Sequence, residues 1–165
     1  MLNQIKHYHK GTYSNEGEIY FPLFNKNIAI SIDFDVNDEY IKKCITSFQN
    51  LKDEIIDKIC NYAIKYCEDY RRELEELDIE IPEKIEGRSI LKYLKPLNII
   101  VKKTNFEEPA FCMEFNCDWE EEHGLGIIIF DNRVIYLGPY VCEFPYDEAT
   151  KEYIIDMPGN YTKNN

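Results

Sequence analysis

The spacing of hydrophobic residues changes twice along the chain, from strand-like to helical and back to strand-like. This order restricts the fold more than any other feature of the sequence. In residues 27–35 apolar side chains occupy every second position, which places them on one side of a β-strand. From Ile41 to Leu74 they recur every three or four residues, which is typical of amphipathic helices. After Pro96 the strand-like pattern returns. The order of strands, helices and strands predicts an α+β domain: an antiparallel sheet, made of an N-terminal meander and C-terminal strands, with two or three helices packed on one face.

The helical region is predicted to contain two helices that are divided near Asn50. Asn37 and Asn50 are both suitable N-caps, and acidic residues follow each of them. The second helix is expected to end near Leu77. A short helix over residues 89–94 would be stopped by Pro96, because proline cannot continue a helix.

Strands are expected on both sides of the helices. Alternation places Ile5, His7 and His9 on one side of the first strand. The expected C-terminal strands are residues 97–102, 110–116, 124–130 and 133–137. A single domain is predicted over residues 1–145, with residues 146–165 as a loosely ordered tail because their periodicity is weak.

Charge and cysteine content restrict the partners and the location. The chain has 31 acidic and 19 basic residues, a net charge of −12, which disfavours binding to nucleic acid and favours a basic protein partner. No apolar run reaches the roughly 18–20 residues of a membrane span, and the first residues lack the apolar core of a signal peptide. We therefore expect a cytoplasmic protein with no membrane partner. The six cysteines form no C-x-x-C pair and are interpreted as small, reduced core residues.

The three histidines are the candidates for a metal site. His7 and His9 would lie on one strand face, and His123 could supply a third ligand. A small metal-dependent hydrolase is therefore an alternative function. The chain has neither a nucleophile elbow nor a glycine-rich phosphate loop, so we predict no catalytic residues and no cofactor.

Two acidic stretches are candidate binding patches. The first lies in the segment CDWEEEHGL and comprises Trp119, Glu120, Glu121, Glu122 and His123. The second comprises Glu73, Glu75, Glu76 and Asp78. A structural interpretation stays open for both: solvated acidic surface, with the tryptophan closing a sheet edge before a buried strand.

The motif Asp118-Trp119-x-x-Glu122-His123-Gly124-Leu125, with its following apolar strand, resembles the strand entry of a group of small bacterial proteins of unknown function. The helical residues from Tyr40 to Leu51 are also similar to that group, and the likeness covers roughly residues 18 to 142. Some members of the group are encoded near polymorphic-toxin loci. The resemblance implies an α+β fold and an immunity or interaction role, and it supplies no catalytic residues.

The favoured hypothesis is a non-enzymatic, acidic protein-binding domain, and its more specific form is an immunity protein that neutralises a basic toxin. The chain has 13 Tyr, 9 Phe and one Trp, which can supply aromatic anchors for an interface. The alternatives are the metal-dependent hydrolase and a homodimeric scaffold, so both monomer and homodimer stay open.

Overall fold

A computed structural model describes residues 2–73 and 81–163 and contains one seven-stranded sheet whose strands follow one another in chain order. The strands are β1 (Ile5–Lys10), β2 (Asn15–Phe21), β3 (Lys26–Ile32), β4 (Leu94–Val101), β5 (Ala110–Cys117), β6 (Glu120–Phe130) and β7 (Arg133–Gly138). All neighbours are antiparallel except β3 and β4, which are parallel. A parallel pair needs a long connection, and the helices supply it. The predicted α+β class is confirmed.

Two long helices, α1 (Asp38–Gln49) and α2 (Asp53–Glu73), connect β3 to β4. The predicted division near Asn50 is therefore confirmed, and the Asn37 side chain caps α1 by accepting a hydrogen bond from the Tyr40 amide at 2.9 Å. Asn50 has a different role from the one predicted, because it ends α1 and its amide donates to the Thr46 carbonyl. The expected end of the second helix near Leu77 lies outside the described residues.

The inner face of the sheet is the one that α1 and α2 cover. Their apolar stripes, including Ile41, Phe48 and Ile59, pack on the strand residues that point the same way. On β5 these are Phe111, Met113 and Phe115, and on β6 they are Leu125, Ile127 and Ile129. Alternation therefore gives the strands a buried inner side, as the sequence predicted.

Residues 146–163 are ordered, which corrects, for the residues that the structure describes, the expectation of a loose tail over residues 146–165. It contains a third helix, α3 (Glu148–Asp156), capped by the Asp147 side chain, which accepts a hydrogen bond from the Thr150 amide at 2.8 Å. Ile154 of this helix is fully buried on the outer face of the sheet, the face opposite α1 and α2. The weak periodicity is explained by the shortness of the helix, which buries a single residue.

Two strands and one short helix differ from their predicted bounds or type. β4 begins three residues earlier than expected and includes Pro96, next to which its pairing with β5 is irregular because proline has no N–H to donate. A 3-10 helix, Gly87–Tyr93, replaces the short helix predicted over residues 89–94. β6 begins at Glu120 rather than Gly124.

β1 contains a bulge at His7, whose φ of 53° is in the left-handed region. The bulge breaks the predicted alternation. Ile5 points into the core, whereas His7 and His9 line a shallow cavity with outer-face residue Ala29. Ile5 and the two histidines therefore do not share one side of the strand.

None of the helices among residues 2–73 and 81–163 combines the length and the apolar composition that crossing a membrane requires.

Candidate functional site

The predicted motif Trp119 to His123 forms the turn between β5 and β6 and the first residues of β6. Cys117 pairs with Glu120 across this turn, and Gly124 follows with a φ of +66°. A Cβ atom at Gly124 would lie 2.3 Å from the Phe115 carbonyl oxygen, so glycine is required for the two strands to approach here. The close approach of the two strands therefore explains why the motif contains a glycine at position 124.

Trp119 and Glu120 are buried, with exposed fractions of 2% and 5%. Neither can make the surface contacts that the sequence suggested for them, because their side chains point into the protein. Glu121, Glu122 and His123 are exposed and stay available for binding. The interpretation of Trp119 as a residue that closes the sheet edge fits its position.

The Glu120 carboxylate organises the turn. Its Oε1 accepts hydrogen bonds from the backbone amides of Glu122 and His123 at 2.8 and 3.0 Å. Its Oε2 accepts from the His123 amide at 2.8 Å and lies 3.1 Å from His123 Nδ1. A buried carboxylate needs such donors to replace water, and charge-assisted bonds of this kind are stronger than neutral ones.

Tyr66 of α2 connects the helix to this turn. Its hydroxyl donates to the Gly124 carbonyl at 3.2 Å, and its ring packs edge-on against Trp119 with centroids 5.6 Å apart. It also contacts Tyr161 of the C-terminal segment at 5.1 Å and Tyr70 at 6.4 Å. The last turn of α2 is therefore held beside the start of β6.

This packing brings Glu73, the described residue of the second acidic stretch, to the same end of the sheet as the first acidic stretch. We call the surface formed by Tyr70, Glu73, Glu121, Glu122 and His123 the acidic end. Glu75, Glu76 and Asp78 of the second stretch lie outside the described residues. Tyr70 was not predicted as a site residue, although its place at the end of the apolar stripe of α2, next to acidic residues, was a usable signal.

The electrostatics of Tyr70 support this convergence. Desolvation, followed by the negative field of Glu120, Glu122 and Glu73, raises the pKa of its hydroxyl above the usual 10.0. Charges from both acidic stretches therefore act on one side chain. Among nearby cations, Arg72 is paired with Asp69, and Arg71 donates to the Ile81 carbonyl at 2.9 Å.

The three histidines do not form one site, which corrects the basis of the metal-dependent hydrolase hypothesis. His7 and His9 lie on β1 and His123 lies on β6, five strand positions away. At about 4.8 Å per strand the separation is roughly 24 Å, too far for a shared ion. His9 instead has its Nδ1 2.8 Å from the His7 carbonyl oxygen and its Nε2 3.8 Å from Glu16.

Within residues 2–73 and 81–163, one cluster of side chains has the donor atoms that metal ions bind. Glu120, Glu122 and His123 each place a donor atom within 4.8 Å of the others. Glu120 already accepts several hydrogen bonds in this group, so its carboxylate has a sufficient structural role. The group is a possible set of ligands whose arrangement is explained without an ion.

The interpretation of the cysteines as core residues is confirmed for five of the six and is wrong for Cys142. Five are free and buried, and Cys142 is free and exposed. Burial raises the pKa of the Cys112 and Cys117 thiols to about 12 and that of Cys44 to about 11. These buried thiols stay protonated at neutral pH and are poor nucleophiles.

The fold and this surface define an α+β protein with a largely antiparallel sheet, helices on its inner face and an acidic end. The chain belongs to the family described as Domain of unknown function (DUF6985), whose model matches residues 2–144. The match includes all seven strands, α1, α2 and the acidic end, and stops before α3. No curated protein and no solved structure is significantly similar to the chain.

Proposed function

We propose that the chain is a cytoplasmic, non-enzymatic protein-binding domain that recognises a basic surface of its partner through the acidic end. The observation that carries the proposal is the convergence of α2 and the β5–β6 turn around Tyr70. Exposed glutamates there surround a half-buried tyrosine. An aromatic anchor within a charged rim is a common composition of protein interfaces.

The expected recognition has two parts. Glu73, Glu121 and Glu122 would steer a basic partner, because charges of one sign accelerate encounter and the effect is screened by salt. Tyr70 would add contact area at low conformational cost, because its ring is already packed against Tyr66. The buried Glu120 would act indirectly by holding the turn that presents its neighbours.

The more specific proposal is that this domain is an immunity protein whose partner is a basic toxin. Its support is the net charge of −12 together with the location of exposed glutamates on two adjacent elements. A steered, fast association would suit a protein that has to capture a toxin before the toxin acts.

The test is affinity capture from the native host's lysate at low and high salt, with identification by mass spectrometry. Three baits are compared: wild type, Glu121→Lys with Glu122→Lys, and Glu107→Lys with Glu152→Lys. The last pair is exposed, lies away from the acidic end and changes the net charge equally. A basic protein captured by wild type and by the control pair, and lost with the acidic-end pair, is expected. Equal loss with both pairs would contradict the assigned surface.

The immunity proposal is tested with the captured protein. Its expression alone should arrest growth, wild type should restore growth, and the acidic-end pair should fail to restore it. A captured protein without toxicity would retain the binding proposal and reject the immunity form. Capture that depends on added metal and is lost with a chelator would instead favour a role for the Glu120, Glu122 and His123 group.

A further inference from the structure

The outer face of the sheet carries a group of partly exposed polar side chains that the proposed function does not use. We call Ser31, Asn98 and Glu114, together with the neighbouring Tyr140, the polar row. Glu114 on β5 lies opposite Asn98 on β4 and opposite Gly126 on β6. Its neighbours Met113 and Phe115 point into the inner core, so the Glu114 side chain lies on the outer face. We propose that this row binds an arginine or lysine side chain from a protein partner, with the Glu114 carboxylate as its counterion and the Tyr140 ring as its aromatic wall.

Glu114 lacks a counterion of its own. Within residues 2–73 and 81–163, no hydrogen bond or ion pair to its carboxylate is present, although the side chain is half-buried. Desolvation raises its pKa, and no opposite charge counteracts this effect. A partly desolvated carboxylate without a partner is destabilising, and an incoming cation would relieve that cost.

The Asn98 amide beside it is held in place by Ser31. The Asn98 Nδ2 donates to Ser31 Oγ at 3.2 Å, and the Ser31 hydroxyl is 3.4 Å from Asn98 Oδ1. The amide oxygen keeps a free lone pair, because a carbonyl oxygen can accept two hydrogen bonds. A guanidinium donates several N–H groups in one plane, so it can use the amide oxygen and the Glu114 carboxylate together.

The Tyr140 ring lies on the other side of Glu114. A Cβ atom at Gly126 would be 3.3 Å from Tyr140 Cδ2 and 3.1 Å from its Cα, so the glycine permits this close approach. Because Gly126 is directly opposite Glu114, the ring stands beside the carboxylate. Glu114 is also among the charges that raise the pKa of the Tyr140 hydroxyl, after desolvation and Cys112. A carboxylate next to an aromatic ring recognises cations through an ion pair and a cation–π contact.

Because the row is open to solvent, its expected ligand is a side chain on the surface of a partner protein rather than a free small molecule. Ser31, Asn98, Glu114 and Tyr140 are all partly exposed, whereas sites for free small molecules are concave and bury most of the ligand. The row lies on the sheet face opposite α2, so it is separate from the acidic end and the inference goes beyond the proposed function.

The test is an NMR titration of the ¹⁵N-labelled protein with a capped Gly-Arg-Gly peptide. The matched probe is the same peptide with citrulline, which keeps the shape of arginine without its charge. We expect shift changes at the amides of Asn98, Glu114 and Gly126 with the arginine peptide, and none at these amides with the citrulline peptide. Glu114→Gln should weaken binding about tenfold or more, because it removes the charge of the counterion.

Glu54→Gln is the control variant, because Glu54 is an exposed glutamate in the first turn of α2, on the opposite side of the sheet, and should leave the titration unchanged. Unchanged spectra of both free variants away from the substituted residue would show that they fold. The inference is overturned if the citrulline peptide binds equally or if Glu114→Gln titrates like wild type. It is also overturned if the arginine peptide shifts only the acidic end, a result that would leave the proposed function standing.

Discussion

The Asn160 side chain takes the place of an eighth strand at the edge of β7, and removing it should destabilise the whole domain. Its Oδ1 accepts a hydrogen bond from the Leu137 amide at 3.2 Å, and its Nδ2 donates to the Ile135 carbonyl at 2.8 Å. The residue is 7% exposed, so water cannot replace these bonds. Asn160→Ala therefore leaves the buried Leu137 amide without a partner, whereas the Ile135 carbonyl keeps a hydrogen bond from the Thr162 hydroxyl at 3.3 Å. At about 1–3 kcal/mol for an orphaned buried group, the free energy of unfolding should fall by roughly 1–3 kcal/mol.

The measurement is urea denaturation followed by fluorescence, with hydrogen exchange at the Leu137 and Tyr161 amides. The Tyr161 amide donates to the Leu137 carbonyl at 2.8 Å, so it reports on the same edge. Asn61→Ala is the control, since Asn61 is exposed on α2 and its loss should change stability by at most about 0.5 kcal/mol. Asn160→Asp separates bonding from packing, because it keeps the shape and loses the donor. A loss below about 1 kcal/mol for Asn160→Ala, or tolerance of Asn160→Asp, would refute the reasoning.

Two further predictions concern buried polar groups. Glu120→Ala should lower the free energy of unfolding by about 2–4 kcal/mol, because the backbone amides of Glu122 and His123 lose a charged acceptor. The control Glu121→Ala should change it by at most about 0.5 kcal/mol. Similar urea midpoints for the two variants would contradict the role of Glu120. The pKa of Cys112 is about 12 in the folded protein against an ordinary 9.0, so the unfolded state loses this proton first and stability should fall as pH rises above about 9. Cys112→Ala should make that decline shallower by about 1.4 kcal/mol per pH unit between pH 9 and 12. Urea denaturation across this pH range measures the slope, and a slope equal to that of wild type would contradict the prediction.

The sequence was sufficient for the fold class because its evidence was local. Alternation in β3, the helical stripes and the Asn37 cap each depend on neighbouring residues, and each appears in the structure. The parallel pairing of β3 with β4 depends on contacts across both helices, and no local pattern encodes it.

The candidate site was predicted less completely, and the buried glutamate shows why. Three consecutive glutamates look equivalent in the sequence, but the turn points Glu120 inward to its own backbone and leaves Glu121 and Glu122 outside. Asn160 was missed for a similar reason, since its partners on β7 are more than twenty residues away in the chain. In both cases a polar side chain is buried to satisfy backbone groups, and hydrophobic periodicity does not detect this.

The outer face of the sheet has two chemical characters, and the C-terminal segment separates them. Beneath α3 the outer-face residues are apolar and buried, as Ile128 and Phe130 are. Towards β3 that face is polar and partly open, and Glu114 lies there. Tyr140 lies at the boundary, because it follows β7 and packs over Gly126.

This arrangement connects the hydrogen bonds of Asn160 at the edge of β7 to the proposed binding site around Glu114 and Tyr140. Asn160→Ala loosens the outer edge of β7, and the residues that position Tyr140 continue directly from that strand. The variant should therefore weaken binding of the arginine peptide as well as stability. Glu114→Gln should weaken binding alone, because its carboxylate has no partner to lose within the described residues. Binding that survives Asn160→Ala at full strength would mean that the Tyr140 ring is held independently of the C-terminal segment.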